Sequence, residues 1–378
     1  MPKQLSPTGI RAIWRQAVAA TALLLIACSP SGLPKPVTVP TPTAPSISTT
    51  SSEVALPPAR TATTEHVTTP TSVSRQTNTP GPKRQSTSAT KRTPTLENAR
   101  AATPRPTLDT HQSGDAVLVG AGDIASCDSD DDEKTARLLD GIEGTVFTLG
   151  DNAYDDGKSS EYGECYDPTW GRHKERTRPA AGNHEYRTED AAPYFDYFGV
   201  AAGEPGEGWY SYDLGNWHIV VLNSNCKYIG GCEHGSPQER WLRADLAAHP
   251  GLCTLAYWHH PRFSVGKYED DEMMLPAWQA LYDAGAEIVM SGHDHNYQRY
   301  IPQTPDGRAD PERGIRQFVV GTGGKSHYEI EKPKGSLEAY NDNVLGVLKL
   351  TLRTGGYEWD FVSVEGGSFH DSGRDVCH

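Results

Sequence analysis

AVLVGAGD, residues 116–123, is a short run of apolar residues that stops at Gly122-Asp123. With no polar position inside it, the run reads as a buried strand rather than a half-exposed one. The same grammar recurs along the chain. VFTL (146–149) stops at Gly150-Asp151-Asn152-Ala153-Tyr154, and residues 177–181 lead into Gly182-Asn183-His184-Glu185. LAYW (255–258) runs into His259-His260-Pro261, and EIVM (287–290) precedes Gly292-His293-Asp294-His295. Five times an apolar stretch ends in metal-ligating or proton-transferring side chains. Sheets with parallel strands gather their sites at such carboxyl ends.

The intervening segments complete the pattern. Residues 209–214 and 217–223 flank Gly215-Asn216 and read as a hairpin. SPQERWLRADLAA (236–248) is an amphipathic helix with a Ser cap and Pro in its first turn. Residues 132–139 and 271–284 read as further helices, and 317–320, 344–352 and 357–364 as strands. Strands alternating with helices, interrupted by hairpins, predict an α/β (α+β) fold. Two mixed sheets pack face to face with helices outside, a four-layer αββα sandwich.

Further out, composition divides the chain. Residues 1–112 are rich in Thr, Ser, Pro and Ala and carry 12 basic and 4 acidic residues, a net +8. Residues 113–378 hold nearly all the aromatics, with 23 basic and 45 acidic residues, a net −22. The second part is long enough for one large core. Its acidity and the lack of a visible basic groove argue against nucleic acid as a partner. An anionic substrate must then be held by something stronger than surface charge, and bound cations would serve.

The N-terminus reads as an export signal: basic Lys3, Arg11 and Arg15, then an apolar run over 17–27 too short to span a bilayer. Leu25-Ile26-Ala27-Cys28 resembles a bacterial lipobox, which implies cleavage before a lipidated Cys28 and anchoring outside the cell membrane. Residues 29–112, with Pro40-Thr41-Pro42-Thr43 as a sample, cannot bury enough apolar surface to fold and read as a tether. Cys28 aside, six cysteines remain, and six allow fifteen connectivities. Cys226 and Cys232 are near enough to close a short loop, Cys377 can staple the C-terminus to Cys253, and Cys127 is left with Cys165. No CxxC spacing favours thiolate metal binding instead.

The five blocks, in this order, resemble the signature of calcineurin-like metallophosphoesterases. Gly150-Asp151-Asn152-Ala153-Tyr154, with Tyr three residues after Asp, is similar to the purple acid phosphatase branch. The resemblance covers residues 116 to about 364 and implies two metal ions. Asp123, Asp151, Tyr154 and His295 would hold the first, and Asp151, Asn183, His259 and His293 the second, with Asp151 shared. A phenolate ligand implies Fe(III) at the first site, with divalent Fe, Zn or Mn at the second. A hydroxide between the ions would attack phosphorus. His184 would orient the phosphate or protonate the leaving group, with His260 a second candidate.

The expected activity is a phosphomonoesterase acting on a small-molecule ester. Its alternatives are a phosphodiesterase or nucleotidase, or a non-catalytic surface module. Glu185 and Asp294 are expected to support the ligands; His173, His218 and His234 match no block. Segments 203–212 and 265–274 are expected at the mouth. Plant purple acid phosphatases carry an N-terminal β-sandwich where the tether stands here, which leaves the oligomeric state open.

Overall fold

The structure, a computed structural model, describes residues 115–330 and 332–378. The signal segment, Cys28 and the tether lie outside the described residues, as does the boundary at 113.

Fifteen strands are present among the described residues: β1 (Ala116–Ala121), β2 (Ala125–Ser126), β3 (Thr145–Leu149), β4 (Ala153–Tyr154), β5 (Thr177–Ala180), β6 (Tyr210–Leu214), β7 (Trp217–Val221), β8 (Cys253–Tyr257), β9 (Ile288–Ser291), β10 (Tyr297–Tyr300), β11 (Arg316–Val320), β12 (Leu337–Asn341), β13 (Gly346–Arg353), β14 (Gly356–Ser363) and β15 (Ser372–Val376). The principal helices are α1 (Asp131–Asp140), α2 (Ser159–Glu161), α3 (Ala192–Phe198), α4 (Pro237–Ala248) and α5 (Leu275–Ala284).

One sheet has six strands in the order β15-β14-β13-β1-β3-β5, and the other has seven in the order β12-β10-β11-β9-β8-β7-β6. Both are mixed. β1, β3 and β5 run parallel in the first; β7, β8, β9 and β11 run parallel in the second. The sheets pack face to face through aromatic contacts. Phe147 of β3 meets Tyr257 of β8 at 5.9 Å between ring centroids, Trp217 of β7 meets Tyr357 of β14 at 5.7 Å, and Phe318 of β11 meets Trp359 of β14 at 5.9 Å.

The alternation of strand side chains supplies the outer layer. Val220, Ala256, Val289 and Val319 face away from the central core and pack on Leu242 and Leu246 of α4 and Trp278 and Leu281 of α5. On the other side α1 buries Ala136 and Leu139. This is the expected layering.

Three disulfides join Cys127 to Cys165, Cys226 to Cys232 and Cys253 to Cys377, the expected pairings. Ser236 caps α4 by accepting from the Glu239 N–H at 3.3 Å. The helix expected from 271 starts at Leu275 instead. Asp271 donates its N–H to the Arg262 carbonyl and accepts from the Met273 N–H at 2.8 Å, so the chain before Leu275 is held in a turn.

Candidate metal centre

The polar residues after the strands meet where the two sheets come together. Asp123, Asp151 and Asn183 follow the neighbouring strands β1, β3 and β5; His259 and His293 follow the neighbours β8 and β9. His295 lies in the link to β10, and Tyr154 belongs to β4, which pairs with β2. Cross-links hold the strand ends in place: the Gly122 N–H donates to the Val320 carbonyl of the opposite sheet at 2.8 Å, and the Gly292 N–H to the His259 carbonyl at 3.0 Å.

The backbone here is strained. Asp123, Asp151 and His293 have φ of 60°, 49° and 70°, in a region that side chains with a Cβ seldom occupy. Glycine, free to adopt positive φ, would be the ordinary residue for such a turn. Of Gly122, Gly150, Gly182 and Gly292, only Gly150 has positive φ. Gly292 is required by close approach, because a Cβ there would lie 2.6 Å from the Asp123 Oδ2. The candidate ligands themselves make the turn.

The side chains converge. The Tyr154 hydroxyl lies 2.8 Å from Asp123 Oδ1, 3.0 Å from Asp151 Oδ2 and 3.2 Å from His295 Nε2. His259 Nε2 lies 3.3 Å from Asp151 Oδ2, 3.1 Å from Asn183 Oδ1 and 3.1 Å from His293 Nδ1. The structure thus brings together all seven residues named from sequence as ligands, in two groups that meet at Asp151. His184 Nε2 stands 3.8 Å from Asp151 Oδ2, and the His260 ring centroid 4.4 Å from that of His293.

The donor set fits two cations. Asp123 and Asp151 are buried carboxylates beside a phenol and three imidazoles, an assembly costly to leave without positive charge. The proton affinities carry the same message. Burial, then the carboxylates of Asp123 and Asp151, hold the Tyr154 hydroxyl well above its usual range. Burial disfavours the His259 imidazolium, yet the Asp151 carboxylate outweighs it and raises His259 to about 9. A cation at this point would take the place of that proton. Burial, then the charge of His259, depress His293 and bring His260 down to about 3.

Supporting residues complete the site. His259 Nδ1 faces the Leu149 carbonyl at 2.7 Å and His295 Nδ1 the Ser326 hydroxyl at 2.7 Å, leaving each Nε2 to face the centre. Glu185 accepts from the backbone N–H groups of Asp151, Asn152 and Gly182. Asp294 holds the loop before Tyr268 through Ser264 and the Tyr268 N–H. His173, His218 and His234 take no part: His173 pairs with Asp140, His218 with Asp213 and Asp245, and His234 with Glu239.

A family model, calcineurin-like phosphoesterase, matches residues 109–297, half of the sequence. The chain belongs to the calcineurin-like phosphoesterases. Among its curated relatives are purple acid phosphatases of Arabidopsis thaliana. Number 21 is 31% identical over 38% of this chain and 34% of its own length, and number 18 is 32% identical over 31% and 26%. This calcineurin-like phosphoesterase therefore spans about a quarter to a third of those relatives. Its fold resembles the purple acid phosphatase PPD1 of yellow lupin, with TM-score 0.57 and 18% identity over 70% of this chain and 54% of the other. It also resembles GAP50, the anchor in the inner membrane complex of Plasmodium, with TM-score 0.54 and 12% identity over 70% and 90%. These two likenesses bear on the fold alone.

Lys267 and Tyr268 fall within the segment expected at the mouth without being singled out there, and Ser326 and Tyr328 were not found from sequence. Tyr268 stacks on His293 with centroids 3.9 Å apart, and Tyr328 on His295 at 4.0 Å. The only signal for the second pair was the glycine run Gly321-Thr322-Gly323-Gly324 ahead of Lys325-Ser326-His327-Tyr328. Of the segment 265–274 expected at the mouth, Val265, Gly266, Lys267 and Glu269 line a cleft beside the centre. Residues 203–211 instead line a separate groove with Phe195 and Trp241.

Proposed function

We propose that this domain hydrolyses phosphate monoesters at a two-cation centre. Asp123, Asp151, Tyr154 and His295 hold one ion, and Asp151, Asn183, His259 and His293 the other. The observation that carries the reading is the position of Asp151 Oδ2, 3.0 Å from the Tyr154 hydroxyl and 3.3 Å from His259 Nε2. One carboxylate reaches both halves of the donor set. When bound, the two cations supply charge neutralisation for the phosphate and acidify the water that attacks it.

In the reaction a water oxygen forms a bond to phosphorus as the ester P–O bond breaks. One water proton stays with the phosphate, and the leaving alkoxide gains the other. His184 Nδ1 faces the Asp155 carbonyl, which fixes it as the donor there. Nε2 accepts from Arg187 Nη2 at 3.1 Å and stands 3.8 Å from Asp151 Oδ2; it passes a proton to the leaving oxygen once it has taken one up from the attacking water in place of the Arg187 contact. His260 plays a different part. Its backbone N–H donates to Ser224 Oγ at 3.1 Å, and the Ser224 hydroxyl, with its own hydrogen free to donate, reaches His260 Nδ1 at 2.8 Å. The hydrogen of His260 then sits on Nε2, and the low basicity of the ring keeps it neutral, a donor to a phosphate oxygen.

The test is Asp151→Asn and His184→Ala assayed on p-nitrophenyl phosphate and on its bis-ester, with metal content measured for each. Asp151→Asn is expected to lose both metal and activity. His184→Ala is expected to keep its metal and lose about 10²-fold in kcat. Unchanged activity in Asp151→Asn overturns the site, and faster turnover of the bis-ester replaces monoesterase with diesterase. Fe(III) beside the Tyr154 phenolate, with divalent Fe, Zn or Mn opposite, would colour the pure protein purple or pink. Colourless, fully active protein free of iron removes that assignment.

Export with a lipid on Cys28 belongs to the same proposal. Three disulfides suit an oxidising compartment. Full-length protein should take up labelled fatty acid, and Cys28→Ala should not; equal labelling in both would refute the anchor.

A further inference from the structure

Beside His293 and His295 opens a cleft of about 820 Å³. One wall is the loop of Lys267 and the other the segment carrying Tyr328 and Lys332. Of the nine lysines that follow residue 112 in this acidic domain, Lys267, Lys332 and Lys334 all line this one cleft. Lys334 is engaged by Asp270 at 3.0 Å. Lys267 and Lys332 make no ion pair among the described residues. Glu269 and Glu329 share the lining, so gross charge does not define the place.

What defines it is the Lys267 ammonium, 4.3 Å from the centroid of the Tyr328 ring and 5.1 Å from that of Tyr268. Those two rings are the ones stacked on His295 and His293. A single aromatic ring therefore separates this cation from each histidine. The loop that carries it is tied down, because Asp294, between the two histidines, bonds Ser264 and the Tyr268 N–H. The ammonium is pre-positioned one ring's breadth from the metal centre.

We propose that this cleft receives the leaving-group half of the substrate, and that this half carries a second phosphate, held by Lys267 and Lys332. The inference rests on the phosphoesterase reading and narrows it to esters with an anionic leaving group. A neutral leaving group would fill the cleft without meeting the ammonium. A second phosphate about one ring away from the scissile one would meet it and gain a charge-assisted contact.

The experiment pairs phenyl phosphate with benzene-1,4-diyl bisphosphate in the metal-loaded full chain, wild type against Lys267→Gln/Lys332→Gln. Both lysines are exposed, so the variant should fold. Wild type is expected to favour the bisphosphate by about tenfold in kcat/KM, mainly through KM, and the preference should shrink with salt. In the variant the preference should fall at least about fivefold. Calorimetry with phenylphosphonate and benzene-1,4-diphosphonate provides a reading without turnover. Hydrolysis of both esters with no preference, or a preference that survives the double substitution, overturns the cleft and leaves the phosphoesterase standing. No hydrolysis, with the diphosphonate still favoured through the lysines, sinks the phosphoesterase reading and keeps the anion site.

Discussion

Glu185 is fully buried, and its two oxygens accept from Asp151 N–H at 3.0 Å, Asn152 N–H at 2.9 Å, Gly182 N–H at 2.6 Å and the Tyr162 hydroxyl at 3.0 Å. Burial, then the nearby Asp151 charge, raise its own pKa to about 7. Together these contacts fix the two strand ends that deliver Asp151 and Asn183. Removing the carboxylate leaves several buried donors without acceptors, each costing about 1–3 kcal/mol. Glu185→Ala is expected to lose about 3 kcal/mol or more in urea unfolding of metal-free protein and to bind metal more weakly. Glu185→Gln, which keeps one acceptor oxygen, should lie between the two. If both variants unfold at the wild-type midpoint and bind metal as well, Glu185 does not position the site.

At the scale of elements, His218 of β7 is held between Asp213 of β6, at 2.9 Å, and Asp245 of α4, at 2.7 Å, with the His249 ring stacked 3.9 Å away. Burial opposes its charge, but the two carboxylates outweigh burial and raise its pKa. The folded state thus holds this proton more tightly than the unfolded chain does. The stabilisation is complete below the unfolded value of about 6.5 and fades as pH rises through the higher folded value. His218→Gln should destabilise most at acidic pH and least at alkaline pH, read as unfolding midpoints across pH. A deficit that is constant or grows with pH refutes the clasp.

A second element-scale prediction concerns Cys253–Cys377, which ties β8 to the chain end beyond β15 across a separation of 124 residues. Cys377→Ser should cost about 2–5 kcal/mol by freeing a long loop of the unfolded chain, checked by urea unfolding. A variant as stable as wild type would mean the staple adds nothing. These elements also show what sequence can carry. β1, β3, β8 and β9 were legible because they are apolar and stop at ligating residues. β10, β12 and β15 were not. β12 and β15 are polar edge strands without an apolar run. β10 reads Tyr-Gln-Arg-Tyr, and its polar residues depend in part on distant partners. Gln298 accepts from the Val265 N–H, and Arg299 pairs with Asp371. The ligands were readable for the converse reason, since each sits within a local block. Segment 265–274 is expected at the mouth, but the pairing of Tyr268 with His293 and of Tyr328 with His295 comes from tertiary stacking, which no local block spells out.

For the whole molecule, the ligand set is divided between the sheets: Asp123, Asp151 and Asn183 follow strands of one, and His259, His293 and His295 follow strands of the other. Cations bound across that division join the sheets, and they bind a geometry that the unfolded chain lacks. Binding to the native state alone stabilises it by RT ln(1 + [L]/Kd), about 2.7 kcal/mol when free cation exceeds Kd a hundredfold. The turns at Asp123, Asp151 and His293 are held by hydrogen bonds of the protein itself, from the Asp123 N–H to the Gly150 carbonyl, from the Asp151 N–H to Glu185 and from the His293 N–H to Asp123 Oδ2. The metal-free protein should therefore stay folded while its urea midpoint falls. The slope of the transition should be unchanged, since the surface exposed on unfolding is the same. Adding back metal should restore the midpoint in wild type and have little effect in Asp151→Asn, where the shared ligand is lost. A wild-type midpoint indifferent to chelation and re-addition would show that no cation spans the sheets, and the centre would have to be placed elsewhere.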